Sequence, residues 1–172
     1  MIFATVGTQL PFDRLLVGLD SWAALNPGVQ VLAQCGESRR PVRHIETVAH
    51  LSQADFRARL QAAKLVVAHA GMGTILSASE MGKPIILMPR RAKFGEHRNE
   101  HQRDTAVEMA RLSNVTVVED GEALHAALDA ALARGFDTSA TKVDLGSEAL
   151  APLIDVVRAF VWNRPSEGRA AA

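Results

Sequence analysis

Short apolar runs alternate along the chain with segments of helical periodicity, and this alternation restricts the fold more than any other sequence feature. A strand buried on both faces of a parallel sheet reads as a continuous apolar run, and the intervening helices cover the sheet. We therefore expect an α/β fold, a Rossmann-like parallel sheet with helices on both faces. The spacing predicts strands over residues 2–6, 29–33, 43–48, 65–68, 85–88 and 115–118, and helices from residue 12 to Pro27-Gly28, after an N-cap at Ser52, and over 75–81, 97–112 and 121–133.

The length of 172 residues fits one domain followed by a tail. Residues 1–134 carry the α/β pattern, and residues 135–149 lose periodicity and are predicted to be a linker. Residues 150–162 regain an apolar helical stripe, and the small and polar residues 163–172 are predicted to be a disordered tail. The stripe fits either a helix that docks on a partner or one that folds back on its own sheet.

Charge and cysteine content exclude several classes of protein. Nineteen basic and 19 acidic residues give a net charge of zero, which argues against a nucleic-acid partner held by bulk electrostatics. Cys35 is the single cysteine, so an internal disulfide is excluded and a reducing cytoplasm is expected. We identify neither a secretory signal nor an apolar run long enough to span a membrane.

A glycine-rich turn in VVAHAGMGT, residues 66–74, leads from a predicted strand into a predicted helix. Gly71 and Gly73 would let a ligand approach the backbone, the free N–H groups of the helix start favour an anion, and Thr74 adds a hydroxyl. A third glycine of the dinucleotide fingerprint would fall on Leu76, and no Walker lysine follows. The turn fits either an anion site or a purely packing role.

A polar segment from Arg90 to Arg103 follows another predicted strand, at the sheet edge where open α/β proteins bind ligands. Its mixture of arginine, histidine, glutamate and amide side chains favours a functional site over a solvated loop. Within it, His97-x-x-Glu100-His101 matches an inverted zinc-protease pattern, in which two histidines on one helix face bind zinc. A zinc hydrolase is therefore a further hypothesis, and it requires a third ligand downstream.

Several motifs together resemble the C-terminal domain of glycosyltransferase family 28. They are MIFATVGT at residues 1–8 with PFDRL at 11–15, HAGMGT at 69–74, GKP at 82–84, and GEH at 95–97 followed by HQ at 101–102. The resemblance extends from residue 1 to about residue 133 and is specific only in combination. It is strongest to the stand-alone donor-binding subunits of that family, which include bacterial exopolysaccharide enzymes.

The resemblance implies one half of a GT-B glycosyltransferase, an inverting hexosyltransferase whose donor is a UDP-sugar. It further implies a membrane-anchored subunit that supplies the acceptor domain, a lipid-linked saccharide acceptor, and a cytoplasmic location at the inner membrane face through that partner. It implies no cofactor and no metal. The catalytic base stays unassigned, because that group usually comes from the other domain. A non-catalytic nucleotide-sugar or anion-binding regulator on the same fold is the main alternative.

The resemblance also implies the donor site. Gly7 and Thr8 would face the diphosphate, the glycine turn would hold the phosphate and nucleoside, and the pair at 101–102 would contact the sugar. Many relatives have a glutamate that binds the ribose where this sequence has Ser77, and Glu80 one helical turn later is the alternative ribose contact. The complete expected set is Gly7, Thr8, His69, Gly71, Met72, Gly73, Thr74, Arg90, Glu96, His97, Asn99, His101 and Gln102.

Overall fold

A computed structural model describes residues 1–136, which form a parallel six-stranded sheet and five α-helices. This confirms the predicted α/β architecture. The strands are β1 (Ile2–Thr5), β2 (Val31–Gln34), β3 (Glu46–Val48), β4 (Leu65–His69), β5 (Ile85–Met88) and β6 (Val115–Val117). The helices are α1 (Asp13–Leu25), α2 (Gln53–Ala62), α3 (Met72–Glu80), α4 (His101–Met109) and α5 (Gly121–Ala133), with a short 3-10 turn at Ala92–Phe94.

The strand order β3-β2-β1-β4-β5-β6 is that of a doubly wound sheet, and the direction of winding changes between β1 and β4. In the central register Thr5 lies opposite Gln34 on β2 and opposite Ala68 on β4. The carboxyl ends of these three strands therefore meet at one edge. In sheets of this type the crevice outside that edge is where ligands bind.

Successive residues of each strand enter opposite cores, as the two-residue period of a strand requires. On β1, Ile2 and Ala4 belong to a cluster with α1 and α5, whereas Phe3 belongs to a cluster with α2, α3 and α4. Trp22 of α1 is the largest fully buried side chain, and its indole N–H donates to Asp129 of α5 at 2.7 Å. Both faces of the sheet are thus covered, which explains the continuous apolar runs.

Two helix boundaries follow from local chemistry that the sequence displays. Ser52 precedes α2, and its hydroxyl accepts the N–H of Asp55 at 3.1 Å, as its N-cap position predicts. Gly82 follows α3 with a φ of +60°, the left-handed conformation that ends many helices and that glycine adopts without strain.

Other boundaries differ from the predictions. The prediction of a helix over 97–112 was wrong, because α4 is His101–Met109 and residues before it form an irregular loop. Glu96 and Glu100 hold that loop by accepting the backbone N–H groups of Arg91 and Ala92, at 3.0 and 2.9 Å. Helix α3 begins earlier than predicted, at Met72, so the second glycine of the turn lies inside its first turn.

The predicted linker (135–149), docking helix (150–162) and tail (163–172) lie almost entirely outside the described residues. Among residues 1–136, no helix has the length and apolar character needed to cross a bilayer.

Candidate functional site

A cleft of about 660 Å³ lies at the carboxyl edge of the sheet, in the size range of small-molecule sites. Its walls come from the ends of β1, β2 and β4, from the β1–α1 loop (residues 6–12), from α2 and α3, and from three residues that follow β5, namely Arg90, His97 and Gln102. The expected site residues that line it are Gly7, Thr8, His69, Gly71, Gly73, Thr74, Ser77, Arg90, His97 and Gln102.

The charge of the lining has one sign. Arg57 of α2 and Arg90 line the cleft together with two histidines, and no aspartate or glutamate of residues 1–136 does. Because carboxylates are absent from this lining, an anionic ligand meets no like charge at the surface of the cleft. The electrostatics of the site favour an anion such as a phosphate.

The β4–α3 turn presents backbone donors to the cleft. Gly71 is the N-cap of α3, and its carbonyl accepts the first helical bond, from the N–H of Ile75 at 3.2 Å. The N–H groups of Met72, Gly73 and Thr74 therefore have no partner within the helix, and the helix dipole adds partial positive charge at the same place. A Cβ built on Gly73 would meet no atom within 4 Å, so the backbone there is open to a ligand.

The imidazole of His69 fits between two glycines. A Cβ on Gly7 would lie 2.7 Å from its Cε1, and a Cβ on Gly71 would lie 2.3 Å from its Nε2. Gly7 also has a φ of +79°, which residues with a side chain rarely adopt. Gly7 and Gly71 are thus required by the packing of His69, whereas no protein atom requires a glycine at position 73.

His69 is held in its neutral form. Burial lowers the pKa of the imidazole to about 4, the charge of Arg90 and the proximity of His97 act in the same direction, and the backbone of Thr5 opposes them. Its Nδ1 is buried without a hydrogen-bond partner among the described residues. At neutral pH the ring has one N–H donor and one acceptor nitrogen, and the buried Nδ1 is not available to a ligand in the cleft.

Gln102, in the first turn of α4, has a fixed orientation. Its Oε1 accepts the backbone N–H of Arg90 at 3.1 Å, so its amide NH₂ is left as the group available to a ligand. His97 also lines the cleft, from the loop before α4.

Five of the expected residues do not line the cleft: Met72, Glu80, Glu96, Asn99 and His101. Of the two expected ribose contacts, Ser77 lines the cleft, whereas Glu80 is exposed outside it. Glu96 is buried, and its carboxylate accepts from the Arg14 guanidinium at 2.9 and 2.8 Å. His101 is exposed at the start of α4, and its backbone N–H donates to Asn99 Oδ1 at 3.3 Å.

The sequence analysis missed other polar residues of the cleft. The Thr5 hydroxyl donates to Gln34 Oε1 at 3.0 Å and accepts the N–H of Gly7 at 3.1 Å, which fixes the start of the β1–α1 loop. Thr5 and Gln34 are the last residues of β1 and β2, and a polar residue at the end of an apolar strand could have marked both as cleft residues. Gln53 and Arg57 also line the cleft from α2, and no motif marked them.

The zinc pattern does not assemble. His97 precedes α4 and His101 is its first residue, so the two histidines do not share a helix face. Glu100 accepts from the Arg91 guanidinium at 2.8 Å instead of standing beside a metal. In the described part of the chain, no group of three or more histidine, cysteine, aspartate or glutamate side chains is arranged to hold a metal ion.

Sequence comparison identifies one family. The profile of the glycosyltransferase family 28 C-terminal domain matches residues 1–148, which extends beyond the expected domain end at 134. No curated protein sequence matches the chain at a significant level.

Solved structures share the fold at low sequence identity. The solution structure of ALG13 has a TM-score of 0.56 and 18% identity, over 77% of this chain and 85% of that one. MurG of Acinetobacter baumannii has a TM-score of 0.56 and 16% identity, over 91% of this chain and 48% of its own. The UDP-GlcNAc 2-epimerase of Neisseria meningitidis, bound to UDP-GlcNAc, has a TM-score of 0.60 and 12% identity, over 94% of this chain and 44% of its own. The chain thus spans less than half the length of the last two proteins.

Proposed function

The chain belongs to the glycosyltransferase family 28 C-terminal domain family, and from this membership we propose that it is the donor-binding half of an inverting hexosyltransferase that uses a UDP-sugar. The fold is that of one half of a GT-B glycosyltransferase.

The observation that carries this proposal is the cleft at the winding change of the sheet. It combines a lining without carboxylates, the free N–H groups of the α3 N-terminus, and an open backbone at Gly73. Phosphate groups suit such a site, because backbone N–H groups and a helix N-terminus stabilise negative charge. The Gln102 amide and His97, beyond the turn, supply donors for sugar hydroxyls.

In the proposed reaction the cleft stabilises the leaving diphosphate. Negative charge builds on that group as the glycosidic bond breaks, and fixed N–H donors aimed at it lower the barrier. Neutral His69 adds an uncharged ring nitrogen, Nε2, as a hydrogen-bonding group at the cleft. We assign no catalytic base to this chain, because no carboxylate lines the described cleft.

We further propose that the acceptor hydroxyl comes on a second polypeptide. Transfer needs donor and acceptor held in one geometry, and a donor domain alone orients only one reactant. The proposed partner is a membrane-anchored acceptor-domain subunit, the acceptor is a lipid-linked saccharide of exopolysaccharide or glycolipid synthesis, and the complex acts at the inner membrane face. The expected docking helix at 150–162 is the proposed contact with that partner.

Calorimetry with UDP, UDP-glucose and UDP-GlcNAc as titrants, and ADP as the matched control, tests the donor site. We expect binding of UDP and of at least one UDP-sugar, with ADP much weaker. Failure of every uridine nucleotide to bind would overturn the proposal.

A transfer assay tests the division of labour. We expect little or no sugar transfer by the chain alone and turnover when it is co-expressed with an acceptor-domain subunit. Strong transfer by the purified single chain would refute the half-enzyme proposal. Donor binding without transfer in any complex would favour the regulator.

A further inference from the structure

Arg90 lies two residues after β5 and almost wholly inside the protein, with 3% of its surface exposed. One terminal nitrogen of its guanidinium donates to the carbonyls of Val6 and Leu10, both at 2.6 Å. The other donates to the carbonyls of Pro11 at 2.7 Å and Glu96 at 3.2 Å. The guanidinium also stacks on Phe12, 4.7 Å from the ring centroid.

These four bonds occupy the four N–H groups of the two terminal nitrogens. Arg90 was expected to contact the donor, and its cationic head instead binds main-chain oxygens. Burial lowers the pKa of Arg90 to about 10, against the effect of the Glu96 carboxylate, so the group remains charged at neutral pH. The charge is therefore solvated by the protein's own carbonyls.

Three of those carbonyls belong to the β1–α1 loop. The loop has no regular secondary structure, and the N–H groups of Thr8, Gln9 and Leu10 have no hydrogen-bond partner within residues 1–136. Thr8, Gln9 and Leu10 all line the cleft. Arg90 holds the carbonyls of Val6, Leu10 and Pro11 in place, and the free N–H groups of Thr8, Gln9 and Leu10 between them suit an anion.

We propose that Arg90 is a positioning residue for donor binding: it holds the β1–α1 loop in the conformation that accepts the phosphate groups, without touching the ligand through its terminal nitrogens. This inference rests on the proposed function. A loop ordered before binding spares the ligand the conformational entropy of ordering it, so Arg90 acts on affinity through preorganisation.

Arg14 provides a matched control. It is a neighbouring, partly buried arginine that binds Glu96 and the carbonyls of Pro89 and Glu119, at 2.8 and 2.7 Å. It makes no bond to the carbonyls of the β1–α1 loop and does not line the cleft. Removing its charge therefore perturbs the same part of the fold and leaves the loop carbonyls bound.

The experiment compares Arg90→Met, Arg90→Lys and Arg14→Met, with UDP as the probe. We expect Arg90→Met to lose at least tenfold in UDP affinity, with a more unfavourable binding entropy and lower NMR order parameters for the backbone amides of residues 7–10. Arg90→Lys should fall between Arg90→Met and the wild type, because an ammonium has three donors. Arg14→Met should keep the wild-type UDP affinity and the wild-type order parameters of the loop amides, although its thermal stability falls.

Equal UDP affinity in Arg90→Met and the wild type would overturn the proposal, as would an equal loss in Arg14→Met. If Arg90→Met does not fold, Arg90→Lys decides by the same two measurements. The order parameters of the loop amides are measured without ligand, so unchanged values in the Arg90 variants refute the positioning role by themselves. Absence of UDP binding by the wild type refutes the proposed function, a separate outcome.

Discussion

Gly73→Ala should stabilise the protein and weaken UDP binding, and these opposite effects of one methyl group make the substitution a sharp test of the site. Gly73 is the second residue of α3, its φ lies outside the left-handed region, and a Cβ there meets no atom within 4 Å. The folded protein has no steric need for glycine at this position. A helical glycine without such a need carries an entropic cost that alanine removes.

The expected gain in the free energy of unfolding is about 0.4–1 kcal/mol, the range for glycine to alanine at compatible positions. For a chain of this size such a gain raises the Tm by about 1–4 °C. Gly71→Ala should do the opposite, because its Cβ would lie 2.3 Å from His69 Nε2. Alanine should therefore raise the free energy of unfolding at Gly73 and lower it at Gly71.

The expected loss of affinity comes from the same methyl group. It occupies open space on the cleft wall, where a phosphate would approach the α3 N–H groups. Losing one hydrogen bond to a charged group costs about 1.5–3 kcal/mol. Since about 1.4 kcal/mol corresponds to tenfold in Kd, UDP should bind roughly tenfold to a hundredfold more weakly.

Gly121→Ala is the control. Gly121 is the first residue of α5, a Cβ there also meets no atom within 4 Å, and it does not line the cleft. It should gain similar stability and keep its UDP affinity in calorimetry. If Gly73→Ala gains stability and binds UDP as tightly as the wild type, ligand approach to this backbone is refuted, and the turn has a packing role only.

Three further outcomes are expected. The folded pKa of His69 lies near 4, below the ordinary 6.5, so the unfolded state takes up the proton first; stability should fall as the pH drops from about 6.5 towards 4, by at most about 1.4 kcal/mol per pH unit. Urea unfolding at several pH values gives the free energy of unfolding as a function of pH. This free energy should change less steeply with pH in His69→Asn than in the wild type, and an equal pH dependence would contradict the low pKa of His69. Gln102→Ala should weaken UDP-sugar binding several-fold to tenfold and UDP binding less, since one hydrogen bond contributes about 1 kcal/mol. His101→Ala, a change at an exposed position, should alter neither affinity. A larger loss of UDP-sugar affinity in His101→Ala than in Gln102→Ala would place the sugar elsewhere. Metal analysis should find no stoichiometric zinc, and chelators should leave UDP binding intact; equimolar zinc lost on mutating His97 would reinstate the metal hypothesis.

Sequence reasoning succeeded where the cause is local. Ser52 caps a helix and Gly82 ends one through contacts within a few residues, and both positions were predicted. It failed at residues 97–100, which were predicted to be helical and form a loop. Glu96 and Glu100 hold this loop, because their carboxylates accept the backbone N–H groups of Arg91 and Ala92.

Some residues of the predicted donor site converge on one cleft, others do not, and their contact with a ligand stays a prediction. The glycine turn and Gln102 meet in one cleft, but Arg57 joined it from a helix without any motif, and His101 lies outside. A side chain's inclusion depends on the packing angle of its element, which residue spacing alone does not give.

The sequence by itself determined the architecture, because burial on both faces of a sheet imposes apolar runs and helical stripes that are visible along the chain. Only the tertiary structure decided what the charged residues do. Arg90 looks like a ligand-binding cation in sequence, yet it binds the carbonyl of Val6, 84 residues away, and Glu96 binds Arg14, 82 residues away. A buried charge must be solvated by whatever polar groups the fold brings to it, and those groups come from distant segments.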